Sequence, residues 1–100
     1  MADVGDVAGA LTAINRAVKL REVLAQANPD RFNPDLARSL AQQSLRLATA
    51  GRCQDGRETA DRAVELAQQL VKREAALSER LLKLANQTRD LVLSLCDGTA

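Results

Sequence analysis

The stretch that most constrains the fold of this chain runs from Asn28 to Leu66. It contains two segments in which apolar and small residues recur every three or four positions, which is the spacing of one helix face and differs from the alternation of a β-strand. Gly51 separates the segments, at the point where a left-handed glycine usually ends a helix. Helices joined by so short a connection pack antiparallel. The sequence therefore predicts an α-helical hairpin.

Residues that favour helix starts predict where these helices begin. Pro34 suits the first turn of a helix because it has no N–H to leave unpaired, and Asn33 before it is the expected N-cap. Asp55 and Glu58 have the spacing of a capping box for the next helix. An earlier helix should end at Asn28, because the proline that follows disfavours helical geometry there.

Small residues line the faces that these two helices should turn toward each other. Because small side chains allow close approach, we expect the helices to pack by shape more than by bulk. The residues are Ala37, Ala41, Ser44 and Ala48 on one helix and Gly56, Ala60 and Ala63 on the other.

The segment after Gly56 permits two architectures. It has no further glycine or proline before Asp97, and apolar residues continue at helical steps to Leu95. One interpretation is a single helix of about 60 Å, at 1.5 Å per residue. The other is a pair of helices that breaks near residues 74–78, with Ser78 as the new cap. We expect the break, because average helices are short and a small domain must fold back on itself. The prediction is a single all-α domain over residues 1–100, with antiparallel helices at about 7–27, 34–50, 55–73 and 78–96.

Composition narrows the classes of function. The 14 basic and 13 acidic residues are mixed along the chain, so we expect no nucleic-acid partner. No apolar run approaches a membrane span, and acidic residues near the N-terminus argue against a signal peptide, so we expect a cytoplasmic protein that binds no membrane.

Phe32 is the only aromatic residue. We expect it to tuck beneath the connection between two helices, with an exposed binding anchor as the alternative.

Candidate catalytic and metal-binding residues are sparse. The chain has no histidine or tyrosine and no glycine-rich phosphate loop. Cys53 and Cys96 form no CxxC motif, so we expect no zinc site, and each should be a small, buried, reduced residue. If the last helical segment breaks, the two cysteines lie at the same end of an antiparallel pair. We expect no enzyme activity, no cofactor, no metal and no small-molecule substrate.

An internal repeat appears when the chain is shifted against itself by 46 residues. The shift places Gly5 on Gly51, and it places the RAVKL segment at residues 16–20 on the RAVEL segment at residues 62–66. Repeats with periods of 20 to 50 residues are typical of stacked helix pairs.

The repeat and the hairpin together resemble the long tetratricopeptide-type repeats found in actinobacterial multidomain proteins. Those repeats follow an approximate pattern NPD-x-F-x-PDLA-x-SL, then RLA-x-x-GR, and the segments NPDRFNPDLARSL and RLATAGR match it here. The chain departs from the pattern at Ala41 and Gln42, where paired asparagines are usual, at Arg57, where leucine is usual, and at residues 74–78, where EAALS replaces the NPD-x-F segment.

The resemblance implies a right-handed stack of helix pairs in a bacterial, non-catalytic interaction scaffold. The partner would be a protein or peptide, and the first helix of each pair would line a concave face. Arg38, Gln42 and Leu45 would then be the contacting residues, although an ordinary solvated face is the alternative for each. Two other interpretations stay open: a homodimeric structural domain, associating through the stripe from Ala63 to Leu95, and a regulatory fragment of a larger signalling protein.

Overall fold

The computed structural model describes residues 4–97, and within that range the chain forms four α-helices and no strand. Their bounds are α1, Val4–Ala27; α2, Pro29–Thr49; α3, Cys53–Arg73; and α4, Ala75–Asp97. The all-α prediction is confirmed. None of the described helices has the length and apolar character needed to cross a membrane.

The second helix is the centre of the fold. In the described range α2 packs against α1, α3 and α4, and α3 also packs against α4, whereas the backbone of α1 approaches α2 only. The main core lies among all four helices and is built mostly from alanine, leucine and valine. Its members include Val18, Leu36, Leu40, Ala63, Val64, Leu70, Leu81 and Ala85.

The α2–α3 contact is as close as the small residues predict. Ala37 and Ala63 are fully buried, and Gly56 lies against the backbone of α2. A Cβ atom added at Gly56 would lie 3.0 Å from the carbonyl oxygen of Ser44 and 3.3 Å from the amide nitrogen of Ala48. Gly56 therefore sets how closely α2 and α3 approach.

Gly51 ends α2 as predicted. Its φ is +83°. The amide of Arg52 donates to the carbonyl of Leu47 at 2.9 Å, and the amide of Gly51 donates to the carbonyl of Ala48 at 3.1 Å. This pair of bonds is the Schellman motif, which satisfies the last carbonyls of a helix and needs a left-handed residue that glycine supplies without a steric penalty.

The predicted start of α2 is wrong. The helix begins at Pro29, and Asn28 is the N-cap, its side chain accepting a bond from the amide of Arg31 at 3.4 Å. Pro34 lies inside the helix. Both Asn28–Pro29 and Asn33–Pro34 have the composition of a helix start, and the earlier pair forms it. Phe32 accordingly lies in α2, half-buried against the core, with the Arg31 guanidinium 5.3 Å from its ring centroid.

The predicted capping box at the start of α3 is also wrong. The helix begins at Cys53, its N-cap is Arg52, and no side chain caps it. Asp55 forms an ion pair with Arg52. The carboxylate therefore neutralises a neighbouring cation near the positive end of the helix dipole.

The predicted break between α3 and α4 is confirmed, but Ser78 is not its cap. Glu74 alone separates the helices, and Ser78 is a buried residue of α4 whose amide donates to the carbonyl of Glu74 at 3.2 Å. The longest dimension of the fold is 39 Å, which excludes a continuous helix of about 60 Å at 1.5 Å per residue.

The two single-residue junctions have the same backbone geometry. Asn28 has φ −147° and ψ 84°, and Glu74 has φ −145° and ψ 82°. They are separated by the same 46 residues that relate RAVKL to RAVEL. The repeat in the sequence thus coincides with a repeated turn in the backbone.

The expectation of reduced cysteines is wrong. Cys53 and Cys96 form a disulfide, with their Cα atoms 5.6 Å apart. The predicted placement at one end of an antiparallel pair is confirmed, and it brings the two Cα atoms within the range that a disulfide requires. The bond joins the start of α3 to the end of α4, beside Ala48 and Val92.

Candidate interaction surface

An open groove of about 480 Å³ runs between α1 and α2. Its floor on the α1 side consists of Ala10, Ala13, Ile14 and Ala17, none of which is fully buried. They precede Val18 on α1, which is buried in the core. The α1 wall is therefore an apolar floor left open to solvent, and we call the whole surface the α1/α2 groove.

Arginines surround the α1/α2 groove. Among the described residues that line it, Arg21 lies on α1, Arg38 and Arg46 lie on α2, and Asp35 is the one acidic residue. The Arg38 guanidinium is 3.5 Å from the Asp35 carboxylate, with both side chains about half exposed. An ion pair this exposed contributes little to stability. With three arginines and one aspartate, the described charged residues around the apolar floor have a net positive charge.

The structure brings two of the three predicted contact residues together. Arg38 and Gln42 are exposed and line the α1/α2 groove. Leu45 is partly buried and does not line the groove. The predicted trio therefore does not form one site within this groove.

The α1 wall of the groove is the part that sequence reasoning missed. The spacing of Ala10, Ile14 and Ala17 shows that they share a helix face, but not whether another helix covers that face. The 46-residue repeat is the sequence signal that could have found this wall, because it relates these α1 residues to equivalent positions in α3. Arg21 and Arg46 were missed for a simpler reason, since isolated arginines have no pattern of their own.

Polar contacts hold α1 in place beside α2 and α3. The Gln43 side-chain amide donates to the Asn15 side-chain oxygen at 2.8 Å, and the Arg62 guanidinium donates to the Glu22 carboxylate at 3.1 Å. Both contacts lie outside the groove lining. They fix the position of the groove wall without occupying it.

A second open apolar surface lies on α4. Leu84, Leu91 and Leu95 are exposed, Leu91 by 53%, and their spacing of seven and four residues places them on one helix face. Exposed leucines repeated on one face are a feature of contact surfaces.

The described residues contain no group of three or more histidine, cysteine, aspartate or glutamate side chains placed to hold a metal ion. Among the same residues, every buried polar side-chain atom has a hydrogen-bond partner.

Comparison with known proteins gives no relative. No family model, no curated protein and no solved structure matches the chain.

Proposed function

We propose that this protein is a non-catalytic interaction module that binds a protein or peptide partner. The observation that carries the proposal is the α1/α2 groove, in which Arg38 and Gln42 stand open to solvent beside an apolar floor. A groove that is partly apolar and partly charged is suited to a protein or peptide, because apolar contact supplies affinity and the charges fix the orientation of the bound chain.

We further propose that the helices form a tetratricopeptide-like stack. In this arrangement α1 is the second helix of one pair, α2 and α3 form the next pair, and α4 opens a third. The repeated junctions at Asn28 and Glu74 support this assignment. The packing of α2 against α4 also supports it, because both would be first helices of successive pairs.

The cytoplasmic location expected from the sequence stays a prediction. The Cys53–Cys96 disulfide counts against it, because structural disulfides persist mainly in oxidising compartments.

The interaction proposal is tested by photo-crosslinking followed by direct binding measurements. A photoreactive residue placed at Gln42 should capture a partner from cells that naturally produce the protein, whereas one placed at exposed Gln68 of α3 should not. The partner is then purified. We expect the combined variant Arg38→Ala, Gln42→Ala and Leu45→Ala to weaken its binding by at least about tenfold, or 1.4 kcal/mol.

A Gln68→Ala variant is the matched control for that measurement and should bind normally. Equal affinity of the triple variant and the wild type for the purified partner would remove this face from the interaction.

The exposed leucines of α4 favour a second candidate function, self-association into a homodimer. Leu84, Leu91 and Leu95 belong to the stripe from Ala63 to Leu95, and folding at Glu74 leaves them uncovered. Pairing of this face with its copy would remove the leucines from water.

A further inference from the structure

We infer that the α1/α2 groove receives an amphipathic, acidic α-helix of a partner protein, docked as α2 is docked against α3 and α4. This inference rests on the proposed interaction function and names the partner's chemistry. It comes from the 46-residue repeat, which relates α1 to α3 and α2 to α4 through the matching junctions at Asn28 and Glu74.

The α1 wall of the groove corresponds to residues of α3 that a helix covers. A shift of 46 residues carries Ala10, Ala13, Ile14, Ala17 and Arg21 onto Gly56, Thr59, Ala60, Ala63 and Ala67. All five of the α3 residues are buried. In the described range the backbone of α3 approaches α2 and α4 and does not approach that of α1, and Gly56 lies directly against Ser44 and Ala48 of α2.

The α2 wall shows the same correspondence. The shift carries Asp35, Ser39, Gln42 and Arg46 onto Leu81, Ala85, Thr88 and Val92, all of them buried. The exception is Arg38, which corresponds to the exposed Leu84. The α1/α2 groove therefore corresponds to the surface between α3 and α4. Helix α2 packs on that surface, and we call it the filled groove.

The face of α4 at the opposite end of the helix stack is polar, unlike the floor of the α1/α2 groove. The α2 residues that face α3 include Ala37, Ala41, Ser44 and Ala48, and the shift carries them onto Lys83, Gln87, Asp90 and Ser94. These α4 residues are all exposed and polar. A terminal helix of a stack commonly has such a polar outer face, so this face of α4 has the character of a terminal face, whereas the apolar floor of the α1/α2 groove does not.

The lining of the groove specifies the chemistry of the incoming helix. The docking face of the incoming helix should carry small residues, because the α1 wall corresponds to the part of α3 that the small residues of α2 approach closely. It should also carry carboxylates, because Arg21 and Arg46 stand where the filled groove has Ala67 and Val92, and Arg38 lines the groove as a third cation. Arginines in a partly desolvated groove favour a partner of opposite charge.

A second copy of this chain does not meet these requirements. In a head-to-tail stack its α4 would enter the groove, and Lys83 and Gln87 would take the places that Ala37 and Ala41 take in the filled groove. Long side chains would prevent the close approach. Lys83 would also lie in a groove whose rim is already basic, where like charges repel.

The test is a fluorescence anisotropy titration with a designed helical peptide. The probe has the sequence of residues 29–50 with Arg31→Glu, Arg38→Glu and Arg46→Glu, which keeps the small-residue face of α2 and makes its flanks acidic. We expect saturable binding to the intact protein that weakens as salt is raised. A control peptide with the additional change Ala37→Lys should bind at least about tenfold more weakly.

Protein variants locate the binding site. Ala17→Arg fills the groove at a partly exposed position and should weaken probe binding at least about tenfold, whereas Ala8→Arg, the same change on α1 outside the groove, should leave it unchanged. Circular dichroism melts check that both variants fold. The variant Arg21→Glu with Arg46→Glu keeps the floor intact and should prefer the unmodified basic peptide of residues 29–50.

The inference is overturned if the folded wild type does not bind the acidic probe, if Ala17→Arg binds it normally, or if the Ala37→Lys peptide binds equally well. A purified partner that crosslinks at Gln42 but binds Ala17→Arg normally would refute the groove inference and leave the interaction function standing. Absence of any partner at Gln42 would count against the function itself, whatever the probe does.

Discussion

At the scale of single residues, a missing methyl group decides how closely the two central helices approach. Gly56 lies inside α3, where glycine is unfavourable by about 1 kcal/mol relative to alanine. It is accommodated because a Cβ there would meet the Ser44 carbonyl oxygen at 3.0 Å. That oxygen belongs to the backbone of α2 and cannot rotate away. Gly9 in α1 differs, since a Cβ there would meet no atom of another described helix within 4 Å.

The two glycines provide a matched pair of substitutions. We expect Gly56→Ala to lower the free energy of unfolding by about 1–2 kcal/mol, because overpacking against backbone outweighs the gain in helix propensity. We expect Gly9→Ala to raise it by about 0.5–1 kcal/mol through propensity alone. Urea denaturation followed by circular dichroism measures both. Destabilisation of equal size in the two variants would show that the α2–α3 approach does not depend on Gly56.

At the scale of helices, start and stop signals differ in how well they can be interpreted. The end of α2 follows from Gly51 alone, because the left-handed residue and both Schellman bonds lie within six consecutive positions. The start of α2 does not follow from local signals. Asn28–Pro29 and Asn33–Pro34 both have the residue types of a helix start, and the structure uses the first, with Phe32 then lying within α2 against the core.

The disulfide between α3 and α4 should make a measurable contribution to stability. It closes a loop with a sequence separation of 43 residues, for which the chain-entropy model gives about 4 kcal/mol and measured values are typically 2–4 kcal/mol. We expect reduction of the wild-type protein to lower its free energy of unfolding by about 2–4 kcal/mol. Urea titrations with and without dithiothreitol measure the difference.

The variant Cys53→Ser with Cys96→Ser is the control for that experiment, and its unfolding should not respond to dithiothreitol. Hydrogen exchange adds a regional test, because protection should fall first at the start of α3 and the end of α4. An unchanged wild-type midpoint after complete reduction would show that packing alone holds these ends together.

At the scale of the whole molecule, the main question is what covers the open surfaces. The interaction proposal predicts that the protein alone is a monomer of 10.8 kDa across a concentration series in light scattering, with or without reductant. A dimer that is abolished by Leu91→Glu, but not by Ala17→Arg, would favour self-association through the α4 leucines. Glutamate at the exposed Leu91 leaves the fold intact while placing two like charges across such an interface.

Much of the architecture follows from features that can be seen in the sequence. Helical spacing, Gly51, the small residues around Gly56 and the 46-residue repeat are local or periodic features, so they specify helices, a hairpin and a close α2–α3 contact without reference to the rest of the fold. Arg38 and Gln42, which the resemblance to helical repeats predicts as contact residues, line the α1/α2 groove, and their role in binding stays a prediction.

Other features were decided only by the tertiary structure. The choice between two proline caps, the pairing of Cys53 with Cys96, and the grouping of Arg21, Arg38 and Arg46 around one groove all depend on which helices meet. Spacing shows which residues share a face, but burial of that face is a property of its neighbours. For this reason Ala17 and Ala63, equivalent in the repeat, have different environments: α2 covers Ala63, and Ala17 is left in an open groove.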